Sequence, residues 1–209
     1  MRVLDLFAGM KGWSAAFAAR GHSVVTLDLE PKFNCTLTVS ILDVSANQLG
    51  GPFDVVLASP PCTAFSVASI GKHWLRSGVP KTAEALLGQQ MVAKTLELIR
   101  DLQPRYWVLE NPRGMLRKLP VVANLPRVTV TYCHYGETRM KPTDLWGNFP
   151  PSWIPEPSCK NGDPCHVAAP RGSTTGTQGL KGAALRAKVP YDLSLAFCLA
   201  AERDLGNTP

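Results

Sequence analysis

Arg2-Val3-Leu4-Asp5-Leu6-Phe7-Ala8-Gly9-Met10-Lys11-Gly12-Trp13 is an apolar run that breaks on a glycine turn. The run predicts a strand over Arg2–Phe7, and the residues beyond it predict a helix over Trp13–Ala19, closed by Gly21. The alternation repeats downstream. His22–Leu27 is a β-branched run ending on Asp28, and Ser40–Val44 and Phe53–Ala58 read as two more short strands, the second stopped by Ser59-Pro60-Pro61. Thr82 is placed to cap a long helix reaching about Leu102, with Leu86, Leu87, Met91, Val92, Leu96 and Ile99 at helical spacing. Tyr106–Leu109, after Pro104, is a further buried strand. Such alternation predicts an α/β fold, a mostly parallel sheet with helices on both faces. Ligand sites in such sheets lie beyond the carboxyl ends of the strands. Gly9, Asp28, Asp43, Pro61-Cys62 and Glu110-Asn111 each fall just past a strand end, so one rim is expected to carry them all.

Composition narrows the class. The chain has 209 residues, 45% of them hydrophobic, which suits one globular domain and excludes wholesale disorder. No apolar run approaches the roughly 18 residues of a membrane span, and no signal-peptide pattern precedes the first strand. A soluble cytoplasmic protein is expected, with its six cysteines as reduced thiols available for a core, a metal or catalysis. The net charge is +6, and residues 111–188 hold 11 basic side chains against four acidic ones. A basic second half suits a polyanion such as nucleic acid, or simply a solvated surface.

The second half is organised differently. Arg127–Cys133 reads as a strand with Val128, Val130 and Tyr132 on one face, and residues 190–204 as a helix through Leu193, Phe197 and Ala201. Between them, 142–179 is rich in Pro, Gly, Ser and Thr, the composition of a surface loop. Residues 67–81, with Gly71, Gly78 and Pro80, read as a mobile loop.

Three clusters carry chemistry. Glycines at a strand-to-helix turn admit close approach of a ligand to backbone, and a helix N-terminus offers free N–H groups. Asp28 is placed to accept hydrogen bonds from a ribose, and Asp43 to meet an adenine amino group. In Ser59-Pro60-Pro61-Cys62, two prolines stiffen the chain before a thiol, which suits a nucleophile as well as a buried structural cysteine. Glu110 brings a carboxylate to the same rim, or is a surface residue that caps the helix expected after it.

In this order, each after a strand, the clusters resemble the DNA cytosine-5 methyltransferase family. Asp5–Gly12 is similar to its Asp-Leu-Phe-Ala-Gly-x-Gly-Gly motif, Pro61-Cys62 with Phe65-Ser66 to its Pro-Cys-x-x-Phe-Ser block, and Glu110-Asn111 to its Glu-Asn block. Arg139 and Lys141 follow Tyr135-Gly136 where the family has Gln-x-Arg-x-Arg, and Arg186–Pro190 resembles a C-terminal block that folds back beside the cofactor. The resemblance covers nearly the whole chain and is strongest over 1–120. It implies a Rossmann-like class I fold that binds S-adenosylmethionine through Asp5, Phe7 and Ala8, through Gly9, Met10, Lys11, Gly12 and Trp13, through Asp28 and Leu29, through Asp43 and Val44, and through Ser59 and Pro60. Cys62 would attack carbon 6 of cytosine, Glu110 would protonate the N3 side, and Arg139 and Lys141 would stabilise the activated ring or orient Glu110.

The same resemblance implies that the target base is flipped out of duplex DNA. Pro61, Ser66, Ser69, Lys72, Asn111, Arg113 and Arg171 are then the DNA-contact candidates, and loop 67–81, with His73, Trp74 and Arg76, is the expected clamp. The chain departs from the family in three places. Lys11 replaces a glycine and either turns to solvent or pairs with a cofactor carboxylate. Arg139-Met140-Lys141-Pro142 alters the basic block. Only about 30 residues separate Trp146 from Gln178, so the recognition region, and the DNA sequence it reads, should be short. Cys159-x5-Cys165-His166 lies there, and with Cys133 upstream it offers four ligands for a zinc ion. The expected organisation is a catalytic region over 1–141, a recognition insert over 142–180, and a C-terminal segment over 181–209 packing back, in a monomer acting on double-stranded DNA. The same motif set would also serve an RNA cytosine-5 methyltransferase or survive in an inactive DNA-binding paralogue.

Overall fold

Apolar residues of the first strand alternate between two sides of a sheet, and the whole core follows from that alternation. The computed structural model describes residues 1–168 and 182–206. Seven strands, β1 (Arg2–Leu6), β2 (Ser23–Asp28), β3 (Leu37–Thr38), β4 (Val55–Ala58), β5 (Tyr106–Pro112), β6 (Arg127–Thr131) and β7 (Pro142–Asn148), form one sheet in the order β3-β2-β1-β4-β5-β7-β6. The strands β3, β2, β1, β4 and β5 run parallel to their neighbours, and β7 is antiparallel to both β5 and β6. On β4, Val55 and Leu57 face one core, with Trp13, Phe17, Leu193 and Phe197, while Val56 and Ala58 face the other, with Leu98 and Ile99. All four β4 residues are buried, as a central parallel strand covered on both faces requires.

Helices α1 (Ala15–Ala19), α2 (Ala46–Leu49), α3 (Ile70–His73), α4 (Ala83–Leu102), α5 (Ala183–Ala187) and α6 (Tyr191–Gly206) connect and cover the sheet. The Thr82 hydroxyl caps α4 by accepting from the Ala85 N–H at 3.3 Å. A left-handed Gln103 before Pro104 ends it. On α6 the expected Leu193, Phe197 and Ala201 are all buried, and Ser194 on the same face accepts from the Ala16 N–H at 3.3 Å and donates to the Trp13 carbonyl.

Four expectations need correction. Ser40–Val44 is not a strand: the Ser40 hydroxyl accepts from the Leu42 N–H at 3.2 Å and closes a 3-10 turn, and the strand at that edge is Leu37–Thr38. On α4, Leu86 and Leu87 are exposed, and the face toward the core is Ala85, Gly88, Val92, Thr95, Leu98 and Ile99. Residues 67–81 are folded around their own small core. Trp74 is buried, stacks on Phe65 at 5.7 Å and donates to the Ala64 carbonyl at 2.7 Å, and His73 is buried against the Thr82 hydroxyl. Neither can serve as a clamp surface in this arrangement. Finally, residues 142–148 are not a surface loop but the strand β7, paired on both sides by β5 and β6, so the sheet continues past the boundary expected at 141.

Strand β7 carries Asp144 fully buried, held by the Arg117 guanidinium through Nε at 2.8 Å and Nη2, and by the Thr129 hydroxyl at 2.7 Å. Removing the cation would leave an uncompensated charge inside the sheet. Arg117→Ala should therefore cost about 3 kcal/mol or more of stability, whereas loss of the exposed Lys94–Glu97 pair should cost under about 1 kcal/mol. Urea unfolding of the two variants checks the contrast, and equal midpoints would refute it.

Candidate active site

The carboxyl ends of β1, β2 and β4 open onto a cavity of about 480 Å³. Its wall begins with the turn after β1, where Gly9 takes φ +46 and donates its N–H to Asp28 Oδ2 at 2.9 Å. Asp28 Oδ1 accepts from the Glu30 N–H at 2.9 Å, so two backbone donors fix the carboxylate at the end of β2. Phe7, Leu27, Leu29, Phe33, Ile41 and Met91 supply apolar walls, and Asp5, Asp28 and Ser59 supply polar ones. Two buried polar atoms on the cavity wall, Trp13 Nε1 and Ser59 Oγ, have no hydrogen-bond partner among the described residues. Apolar walls with a few uncommitted polar atoms suit a nucleoside-like ligand with a polar tail.

The far wall comes from the C-terminal segment, through Ala184, Ala187, Lys188 and Val189. Gly12 permits this. A Cβ there would lie 2.6 Å from both the backbone N and O of Val189, so only glycine lets the two segments meet. Burial raises the Asp5 carboxyl to about 7, against a lowering hydrogen bond from Ser14 at 2.6 Å.

Not every expected cofactor residue reaches this cavity. Asp5, Phe7, Ala8, Gly9, Met10, Gly12, Trp13, Asp28, Leu29 and Ser59 line it, while Lys11, Asp43, Val44 and Pro60 do not. At Lys11, φ +56 accompanies a bond from Nζ to the Asn34 carbonyl at 2.9 Å. The 3-10 turn offers the cavity Ser40 and Ile41 instead of Asp43, which is exposed, and Val44 is buried in the core. The Pro60 carbonyl accepts from Asn111 Nδ2 at 2.9 Å. Phe33, Ile41, Met91 and Val189 were not expected here. Only the Arg186–Pro190 block carried a sequence signal for any of them.

Cys62 lies on the cavity rim, just past β4, with its carbonyl accepting from the Phe65 and Ser66 N–H groups at 3.0 Å each. Glu110 is buried at the end of the neighbouring β5, and its Oε1 accepts from the Tyr132 hydroxyl at 2.9 Å. Lys141 Nζ stands 3.9 Å from the same oxygen, lies 4.4 Å from the centre of the Tyr132 ring, and donates to the Arg186 carbonyl at 3.0 Å. Burial, then the charge of Glu110, raises the Cys62 thiol, while Lys141 and Arg186 act in the opposite direction. Burial also raises Tyr132 well above its ordinary value, so it remains a neutral donor. Arg139 lies beside Tyr132, Lys141 and Lys188, and its buried Nε has no partner among the described residues. Tyr132 was read only as an apolar-face residue; no local signal distinguishes a core tyrosine from one aimed at a carboxylate.

Gly114 joins the two halves of the site. A Cβ on it would come within 2.2 Å of the Phe65 carbonyl oxygen, which accepts from the Met115 N–H at 2.7 Å. The loop after Cys62 is thus drawn against the end of β5. In that loop Ser69 Oγ donates to the Thr63 carbonyl at 2.5 Å and lies 2.9 Å from Ser66 Oγ, so both hydroxyls are engaged within the loop. Pro61, Lys72 and Arg113 are exposed, Asn111 is buried, and Arg171 lies outside the described residues. Cys133, Cys159, Cys165 and His166 converge, their ligand atoms all within 4.8 Å of one another.

Known proteins share both the sequence blocks and the fold. The family model for C-5 cytosine-specific DNA methylase matches residues 1–119. A protein of Frog virus 3 (isolate Goorha), named Probable DNA (cytosine-5)-methyltransferase, is 32% identical over 91% of this chain and 95% of its own. Type II methyltransferase M.XorII of Xanthomonas oryzae pv. oryzae is 30% identical over 54% of this chain, which spans only 28% of that larger protein. Among solved structures, one described as a candidate DNA modification methyltransferase encoded within an E. coli prophage matches with a TM-score of 0.53 at 16% identity. That match covers 77% of this chain and 52% of the other, and it supports the fold alone.

Proposed function

The chain belongs to the C-5 cytosine-specific DNA methylase family, and from that premise we propose that it methylates carbon 5 of cytosine in double-stranded DNA through a covalent bond to Cys62. The observation that carries this reading is the pairing of Cys62 and Glu110 at the ends of adjacent strands, beside a nucleoside-sized cavity. Asp28 would hold the ribose of S-adenosylmethionine, and Trp13 Nε1 and Ser59 Oγ would meet its polar atoms. When bound, S-adenosylmethionine supplies the methyl group. The target base is buried in a stacked duplex and must rotate out to reach Cys62. Lys72 and Arg113 are exposed candidates for the flanking phosphates. The short segment after β7 is the candidate recognition element, and a monomer acting in cytoplasm or nucleoid meets every requirement.

The reaction follows from the residues. The Cys62 thiolate bonds to carbon 6 of cytosine, and the electron pair of the 5,6 double bond moves to carbon 5. Glu110, as the acid, delivers its proton to the N3 side as negative charge develops there. Tyr132 and Lys141 then stabilise the carboxylate left behind. After carbon 5 has taken the methyl group, N3 returns its proton to Glu110, and loss of the carbon 5 proton to a base restores the double bond and expels the thiolate.

The test uses duplex DNA containing 5-fluorocytosine, in which carbon 5 has no proton to lose. Incubation with S-adenosylmethionine should accumulate a protein–DNA adduct stable to denaturation. Adducts on RNA alone would transfer the reading to RNA, and adducts on neither would defeat it.

Cofactor binding should depend on pH. Asp5, raised to about 7, is largely protonated below that pH in the free protein. The positive charge of S-adenosylmethionine favours its ionised form, so binding releases a proton and affinity should rise as pH climbs through 7. Below 7 the dissociation constant should weaken by up to about tenfold per pH unit. Calorimetric titration from pH 5.5 to 8.5 measures this, with Asp5→Asn expected to flatten the curve; a flat wild-type curve refutes it.

A further inference from the structure

We propose that Cys133, Cys159, Cys165 and His166 bind one structural zinc ion that staples the segment after β7 to the catalytic sheet. The atoms already form the outline of a site. Sγ of Cys133 and Cys159 are 3.2 Å apart, Sγ of Cys133 and Cys165 3.7 Å, and His166 Nδ1 lies 3.3 Å from Cys165 Sγ and 3.7 Å from Cys159 Sγ. A tetrahedral zinc with bonds of about 2.3 Å to sulfur and about 2.0 Å to nitrogen has ligand–ligand edges of about 3.5–3.8 Å. Three thiols and an imidazole within one such volume exceed what a disulfide needs. Four protein ligands close the coordination sphere, which marks a structural ion. The contact from the Gly162 N–H to His166 Nε2 is long, at 3.4 Å, and gives way when Nδ1 binds metal and Nε2 carries the proton.

The surrounding segment explains why an ion would help. From Ile154 to Ala168 no residue is buried, so this stretch has no apolar core of its own. It is held by polar contacts to β6, from Ser158 Oγ to the Thr129 carbonyl at 2.7 Å and from the Cys159 N–H to Thr131 Oγ1 at 3.2 Å, and to the β6–β7 connection, from the Val167 N–H to the Thr138 carbonyl at 2.8 Å. Three ligands come from this stretch. The fourth, Cys133, sits in the 3-10 turn after β6, adjacent to Tyr132, the donor to Glu110. The ion would therefore fix both the candidate recognition segment and the turn that carries a catalytic partner. The zinc site stands on its own geometry, whatever reaction the chain performs.

Metal analysis of the purified full chain tests it. One zinc per chain is expected, retained by Cys35→Ser and lost to background in Cys159→Ser and His166→Ala. Because those variants could unfold, wild-type protein is also stripped with a chelator and reloaded with cobalt(II). Thiolate-to-cobalt charge-transfer bands with the intense visible absorption of a tetrahedral site are expected, and zinc should displace them one to one. Absence of zinc together with no cobalt spectrum, zinc retained by Cys159→Ser, or a Cys133–Cys159 disulfide in freshly purified protein would each overturn the proposal.

Discussion

Cys62→Ala should reduce methyl transfer by at least about 10⁴-fold, the scale seen when a covalent nucleophile is removed. On the proposed mechanism the thiol is the nucleophile, and the hydroxyls beside it on the cavity wall, Thr63 and Ser59, ionise far less readily and would not replace it. Binding of S-adenosylmethionine should persist in the variant, since Cys62 is one wall residue among many. The wild-type pH profile adds a second test. Burial, then the Glu110 charge, raises the thiol above its ordinary range, so the thiolate is the minor form at neutral pH in the free protein. Alkylation of the Cys62 thiol in the free protein by a small thiol reagent, which needs the thiolate and no acid partner, should therefore climb about tenfold per pH unit from near 7 toward 9. Lys141→Met removes a cation that lowers the thiol, and should shift that limb to higher pH. A profile already flat at pH 7 would mean that the free thiol is activated by something other than the groups around it.

What sequence could and could not disclose divides along physical lines. The strand ends at Gly9, Asp28, Cys62 and Glu110 were readable because glycine, proline and charged residues punctuate apolar runs locally. Pro142–Asn148 was misread because its credentials as a strand are not local. Asp144 is tolerable there only because Arg117, 27 residues earlier, neutralises it. Gly147 is required by a neighbour, since a Cβ there would lie 2.1 Å from the Trp107 carbonyl oxygen. Ser40–Val44 failed for the opposite reason: a side-chain bond inside the segment captured a backbone donor and curled an apparent strand into a turn. Trp74 and His73 looked like surface instruments because a loop rich in glycine gives no sign that it will fold around its own indole. The four zinc-ligand candidates were legible as residue types, but their convergence depends on β6 and the 159–166 segment lying side by side.

Glu110→Gln should lower kcat by about 10³-fold while leaving binding of S-adenosylmethionine within a few-fold of wild type. Glutamine keeps the shape and one acceptor, so the Tyr132 hydroxyl retains a partner, but no proton can pass to the N3 side of the base. Carbon 6 attack then stalls as charge accumulates on an unprotonated ring. The split between a large kcat effect and a small binding effect distinguishes an acid from a structural residue. Tyr132→Phe should be milder, about tenfold in kcat, because one hydrogen bond to Glu110 disappears while Lys141 remains 3.9 Å from the same oxygen. Removing Lys141 in the Tyr132→Phe background should cost more than the two single losses combined, since each partner covers for the other on one carboxylate. Single-turnover methylation of a cytosine duplex, read for Glu110→Gln, Tyr132→Phe, the Lys141 variant and the double variant, measures these terms. Equal losses in kcat and in S-adenosylmethionine affinity for Glu110→Gln would show that Glu110 holds the site together instead of moving the proton.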